Sequence, residues 1–224
     1  SMARGSGVPA DNVYVVDQSR QTKRISANVQ GIFATTRVSL NDNLLERSTP
    51  AEVKAVMGHE IGHYVLGHIF ELIVYFSLLA GVGFAFVQWG FHALHRVFGG
   101  LWGVRDITDP AGLPIVTLLF AIYGLAATPV QNTIIRSNEA EADIYGLNAA
   151  REPDGFATIA LKLSEYRKIN PTPLEEFIFF DHPSGRSRIS MSMHWKAENM
   201  NENKVAEPAP PPAQTPPPPM PNEP

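Results

Sequence analysis

Two stretches without a single charged residue constrain this chain more than any other feature: residues 72–91 and 113–135, twenty and twenty-three positions long. A helix needs about 20 apolar residues to cross a bilayer core, and both runs reach that length. Trp89 and Trp102 stand near the ends that face the intervening segment, where indole rings favour the interface. Gly81, Gly83, Gly124 and Pro129 are tolerated more readily in membrane helices than in soluble ones. The competing reading is a pair of buried core helices, but soluble helices seldom run this far without a charge. Charged residues make up only 18% of the chain, below the ~25% usual in soluble domains. The expectation is therefore an integral, multi-pass chain with a lipid bilayer as one of its partners. The first run begins near residue 69 with no basic region or cleavage site before it, so it is not a signal peptide. Two crossings return the chain to its starting side. Residues 1–68 and 136–224 should then share one compartment, with the 99–112 loop opposite. The flanks hold sixteen of the eighteen Lys and Arg, which fits a cytoplasmic placement, although the bias next to the spans is small.

The chain has no cysteine, which excludes a disulfide scaffold and every thiolate metal site. Any metal must be held by His, Asp or Glu. A formal charge of −4 argues against a nucleic-acid partner, whose binders carry a net basic face. Residues 208–224 contain ten prolines in seventeen positions and no apolar periodicity. Such a segment cannot bury enough surface to offset chain entropy and is expected to be a disordered, polyproline-like tail. Four segments follow: 1–68, 69–135 with the two spans, 136–200, and a proline-rich tail over 201–224.

The chemistry lies in the flanks. Residues 13–17 and 29–40 are rich in β-branched and aromatic side chains and are expected to form paired strands. Thr49-Pro50-Ala51-Glu52 then offers a capping hydroxyl, a proline at the first helical position and a glutamate to close a capping box. The helix that follows carries His59-Glu60-Ile61-Gly62-His63. His59 and His63 are four apart, so both imidazoles leave one helical face and can share a metal ion. Glu60, beside the first of them, can reach a water at that ion. This HExxH pattern is the zinc metalloprotease signature.

Catalytic zinc takes three protein ligands and keeps one position open. A third histidine in HExxHxxGxxH is excluded, because Leu66 and Ile69 occupy the required positions. The other source is a glutamate on a second helix. Directly after the second apolar run stands Asn138-Glu139-Ala140-Glu141-Ala142-Asp143. Glu139 and Asp143 share a face. Glu139 can bind the metal while Asp143 accepts a hydrogen bond from a ligand imidazole. Glu141 is two residues off, faces away, and is expected to be a solvated carboxylate.

These motifs, with HEIGHYVLGH, two apolar runs, NEAEAD and DHPSGRSRI in that order, resemble the type I CAAX prenyl endopeptidases and the HtpX proteases. Both are membrane-embedded gluzincin zinc peptidases. The strand-rich segment VYVVDQSRQTKRISANVQGIFATTRVSLNDNLL is more similar to the CAAX branch, and the resemblance covers about residues 10–192. It implies a mainly α fold with a small β-sheet: a zincin-type catalytic domain with two transmembrane helices between the HExxH helix and the third-ligand helix. It implies one Zn2+ held by His59, His63 and Glu139, Glu60 as general base, and an active-site role for His182 at the substrate or the developing oxyanion. Arg188, which ends the same segment, could pair with Asp143 or with a substrate carboxylate. His68 matches the family pattern, but it is five residues from His63 and is expected to point elsewhere, so it is left out of the ligand set. His92 and His95 fall at the far membrane boundary and are expected to be interfacial. Two features depart from the family: no apolar run stands ahead of the strand segment, and Asn138 precedes Glu139 where an aromatic or basic residue is common.

The expected activity is hydrolysis of a peptide bond in a peptide or protein substrate, of the CAAX-box type. The substrate would lie extended along the 29–35 strand and be read loosely through its backbone. The alternatives are an HtpX-like quality-control protease and a non-catalytic membrane protein with a structural zinc. The latter would need a fourth protein ligand and would leave Glu60 without a purpose.

Overall fold

The computed structural model describes residues 2–8, 13–31 and 36–205. The proline-rich tail lies outside the described residues, apart from residues 201–205, which close the last helix.

After a short helix α1 (Met2–Gly5), three strands form one sheet: β1 (Val13–Val16), β2 (Ala27–Gln30) and β3 (Arg37–Asn41). The order is β1-β3-β2, with β3 parallel to β1 and antiparallel to β2. The stretch 29–40, expected as one strand, is instead parts of two. Val29 lies opposite Val38, and β2 ends at Gly31, whose φ of 104° suits only glycine. Residues 32–35 lie outside the described residues. Val38 and Leu40 point inward and bury against Leu44 of α2 (Asp42–Arg47), with Val53, Val56 and Met57 packed beside them.

Those last three residues belong to α3 (Pro50–Leu66), which begins as its sequence requires. Thr49 accepts from the Glu52 backbone N–H, Glu52 accepts in return from Thr49, and Pro50 occupies the first turn. The helix stops at Gly67, in the left-handed region with φ 72°. One residue later α4 (His68–Trp102) begins, 35 residues long. It ends at Gly103, also left-handed, and a short loop leads through a 3-10 turn (Pro110–Gly112) to α5 (Leu113–Ala150), 38 residues long. The loop expected over 99–112 is shorter than that, because α4 runs on to Trp102.

Helices α4 and α5 form a hairpin joined by Val87, Phe91, Val104 and Leu119. The Tyr123 hydroxyl donates to the Leu79 carbonyl at 2.5 Å. Both helices are long and apolar enough to cross a membrane. They are not core helices of the described chain: only 6% and 11% of their most apolar windows are buried, and Leu125 is 74% exposed. The second apolar run and the segment bearing Glu139 are one uninterrupted helix, so α5 carries the chain from the apolar hairpin into the polar body.

There α5 lies against α3 at backbone distance. A Cβ on Gly58 would meet the Gly146 carbonyl oxygen at 2.9 Å, and one on Gly62 would meet Ala142 at 3.1 Å. Helices α6 (Pro153–Leu163), α7 (Pro173–Phe179) and α8 (Gly185–Val205) complete the body. Ala55, Leu147, Phe156, Ala160 and Trp195 form its core and tie α3, α5, α6 and α8 together.

Candidate metal centre

The small residues between α3 and α5 decide which side chains meet. His59 and His63 leave α3 on the side that faces α5, where Glu139 projects. The Nε2 atoms of His59 and His63 lie 3.1 Å apart. Glu139 Oε2 is 3.3 Å from the first, and its Oε1 is 3.4 Å from the second. A tetrahedral ion with bonds of about 2.0–2.1 Å has ligand–ligand edges of about 3.3–3.4 Å, so this triangle has the right size. Among the described residues these three form the group of His, Asp and Glu able to hold a metal ion.

The electrostatics agree. Burial disfavours a charged His59, but its bonds to Asp143 and Glu139 outweigh that and carry its pKa up to about 9. The point where the three side chains converge is thus a well for positive charge, and a metal ion bound there must displace a proton. The donor set, two imidazoles and one carboxylate with no thiolate, suits zinc in a three-ligand site.

Each imidazole is held from behind. His59 Nδ1 lies 2.7 Å from Asp143 Oδ1, which leaves Nε2 for the metal. Asp143 is fully buried and also accepts from the Arg188 guanidinium, with Nε donating to Oδ2 at 2.8 Å and a second bond from Nη2 to Oδ1. Of the two partners weighed for Arg188, the structure shows Asp143. Its guanidinium also lies over the Phe156 ring. Behind His63 stands His68, with Nδ1 2.8 Å from Nδ1 of His63. The expectation that His68 points elsewhere assumed an unbroken helix. The left-handed Gly67 turns the chain and brings the ring back. Glu141 is exposed, as a surface carboxylate should be, but its Oε2 is 3.5 Å from His68 Nε2.

His182 comes from the loop between α7 and α8. Its Nε2 is 3.4 Å from Glu139 Oε2, and its Nδ1 is 2.9 Å from Asp181 Oδ1. Asn132 and Arg136 of α5 hold this loop and α7 in place by donating to the carbonyls of Ile178, Glu176 and Phe180. Sequence reasoning did not single out Asp181, although its place next to His182 was a usable signal. Glu60 and His182 line one cleft of about 170 Å³ together with His59, Glu139 and Arg188; Ile25, Ser26 and Ala27, at the β2 edge, form another wall. Burial, the largest influence on Glu60, pushes its carboxyl above the ordinary range. His92 bonds to Gln88 and His95 to the Val104 carbonyl, far along the hairpin from this cleft.

Comparison with known proteins bears on the family and the fold. A Bacillus subtilis protein named uncharacterized metalloprotease YhfN is 30% identical over 208 residues, covering 92% of this chain and 48% of that protein. CAAX prenyl protease 1 of Saccharomyces cerevisiae is 25% identical over 206 residues, covering 85% and 45%. The chain thus spans about half the length of these relatives. The crystal structure of S. mikatae Ste24p shares the fold, with a TM-score of 0.65 at 22% identity, covering 85% of this chain and 48% of that one. The family model for peptidase family M48 matches residues 1–196, nearly everything outside the proline-rich tail, and the chain belongs to that family.

Proposed function

We propose that this chain carries the catalytic centre of a zinc-dependent membrane metalloendopeptidase. The observation that supports this most is the convergence of His59, His63 and Glu139 on one point, with Glu60 and His182 lining the same cleft. In this reading those three residues bind Zn2+ and Glu60 is the general base. A bound zinc supplies Lewis acidity to a water and to the scissile carbonyl. Glu60 takes a proton from the attacking water and returns it to the leaving amine. A carboxyl raised by burial is well matched to that task near neutral pH. His182, whose Nδ1 donates to Asp181, would donate from Nε2 to the developing oxyanion with both ring nitrogens carrying hydrogens, a contribution worth ~3 kcal/mol for a well-placed donor. Asp143 orients His59, and Arg188 balances the charge of Asp143. With three protein ligands the metal keeps a position for substrate, which favours a catalytic site over a structural one.

The substrate would lie extended along β2, an edge strand of the sheet, and bond through its backbone. We place α4 and α5 across the bilayer, with the cleft on the cytoplasmic side and the Gly103–Asp109 loop opposite. The substrate class we favour is a membrane-associated peptide of the CAAX-box type, on the strength of the motif order and the yeast relative's name.

The test is zinc content and peptidase turnover on the same detergent-extracted protein. Glu60→Gln keeps the side chain's shape but cannot take a proton, so it should retain zinc and lose about 10²–10⁴-fold in turnover. Glu139→Ala should lose both. A Glu60→Gln variant as fast as the parent would overturn the base assignment. Equal cleavage of prenylated and unmodified peptides would argue against the CAAX-type substrate.

A further inference from the structure

His68 is almost wholly buried, at 2% exposure, yet it takes no part in the three-ligand group. Its position is produced by the chain break before it. On a continuous helix, residues five apart diverge by about 140°, so His68 would face away from His63. Gly67, left-handed at φ 72°, ends α3 and restarts the chain as α4. The His68 ring thereby returns to 5.0 Å from that of His63, centroid to centroid and nearly perpendicular.

The contact between them fixes where the hydrogens must be. If His63 binds the metal through Nε2, the atom that faces His59 and Glu139, its Nδ1 carries the hydrogen. That N–H points at His68 Nδ1, 2.8 Å away, which must then be the acceptor. A neutral His68 accepting at Nδ1 carries its hydrogen on Nε2. That atom is buried and makes no hydrogen bond among the described residues; the Glu141 carboxylate faces it, with Oε2 3.5 Å away, close enough to accept after a small side-chain adjustment. Glu141 is rotated about 200° from Glu139 on α5 and cannot reach His63 itself. His68 spans the gap.

We propose that Glu141 and His68 form a hydrogen-bonded chain that orients His63 for the metal, the counterpart of Asp143 behind His59. Both are positioning residues. One stretch of α5 then supplies a metal ligand, Glu139, and the carboxylates that steady the two imidazoles from either side. This rests on the metal reading above, because the ion is what forces the hydrogen onto His63 Nδ1.

The test is zinc affinity by chelator competition on the detergent-purified full chain, with the visible spectrum of the cobalt-substituted protein as a second readout. His68→Leu fills the space without an acceptor and should weaken zinc binding about 10–100-fold and change the cobalt spectrum. His68→Gln restores an acceptor oxygen and should recover most of the affinity. If the ring merely fills space, the order is reversed, since leucine suits a buried site better than an amide. Glu141→Ala should cause a smaller loss in the parent and none in the His68→Leu background. The proposal is overturned if His68→Leu binds zinc as well as His68→Gln, or if the Glu141→Ala effect persists without His68. Should His68→Leu not fold, Glu141→Ala decides alone, because its site is exposed, and unchanged affinity overturns the chain. A parent protein that holds no zinc would overturn this inference together with the metal reading, whereas a zinc-binding parent with indifferent variants overturns this inference alone.

Discussion

Gly146→Ala should damage the centre through the α3 backbone alone, leaving every side chain that lines it unchanged. A Cβ at this position would sit 2.8 Å from the His59 backbone nitrogen and 3.1 Å from Gly58 C and His59 Cα. All three are backbone atoms of α3, so no side-chain rotation can relieve the contact. Ordinary van der Waals contact begins near 3.4 Å, and the two helices would have to separate locally by about 0.6 Å. Metal bonds tolerate about 0.2 Å, and two of the proposed ligands stand on α3 while the third stands on α5. Overpacking of this kind costs about 1–3 kcal/mol of stability. The expected loss of zinc affinity is about tenfold or more, comparable to loss of an outer-shell partner. Gly124→Ala is the control: it lies on the same helix with no atom within 4 Å of the added methyl, and should be neutral or stabilise by about 0.5–1 kcal/mol. The assay pairs chelator competition with thermal unfolding in detergent. Gly146→Ala binding zinc as tightly as the parent would refute the argument that backbone contact between α3 and α5 sets the ligand spacing.

Other perturbations separate the supporting parts. Asp143→Asn leaves one acceptor oxygen where two donors converge; it should strand the Arg188 charge at a cost of about 3–5 kcal/mol and weaken zinc binding about 10–100-fold without abolishing it, as read by denaturation and metal content. Glu52 gives a pH dependence: burial pushes its carboxyl up, but bonds from Lys162 and the Thr49 N–H outweigh it and hold the group below its ordinary range. Its contribution to stability is therefore complete above the unfolded value of about 4.3 and disappears as pH falls from there through the folded value. Glu52→Gln should flatten the stability–pH curve in that window, and a curve unchanged in shape would exclude the linkage. Tags placed in the Gly103–Asp109 loop and at the C-terminus should be accessible from opposite membrane faces; access to both from one face would mean that α4 and α5 do not cross as a pair.

Some of this architecture is visible in the sequence, and the parts that are not share a cause. The start of α3 is legible because Thr49, Pro50 and Glu52 act within one turn. The apolar hairpin is legible because its composition departs so far from that of a soluble helix. Glu139 and Asp143 follow from helical periodicity once a third ligand is required. What local pattern does not reveal depends on single backbone angles or on distant partners. One left-handed glycine, Gly67, redirects His68. Another, Gly31, ends β2 within a stretch whose composition looks like one continuous strand. Asp181 gains its role only when α7 docks on α5 through Asn132 and Arg136, residues that in isolation look like the polar end of a membrane helix.

For the peptidase proposed above, the uninterrupted run of α5 would bear on what can be cut. The last residue of its uncharged stretch is Ile135, and Glu139 follows four residues later on the same rigid rod. At a rise of 1.5 Å per residue Glu139 stands only about 6 Å further along the axis. With α5 across the bilayer as proposed, the height of the reacting bond above the hydrocarbon is built into the helix. A polypeptide tethered to the same bilayer can offer only the few residues that reach this height. Selection would then operate as a ruler, measuring distance from the anchor and leaving side-chain identity a secondary part.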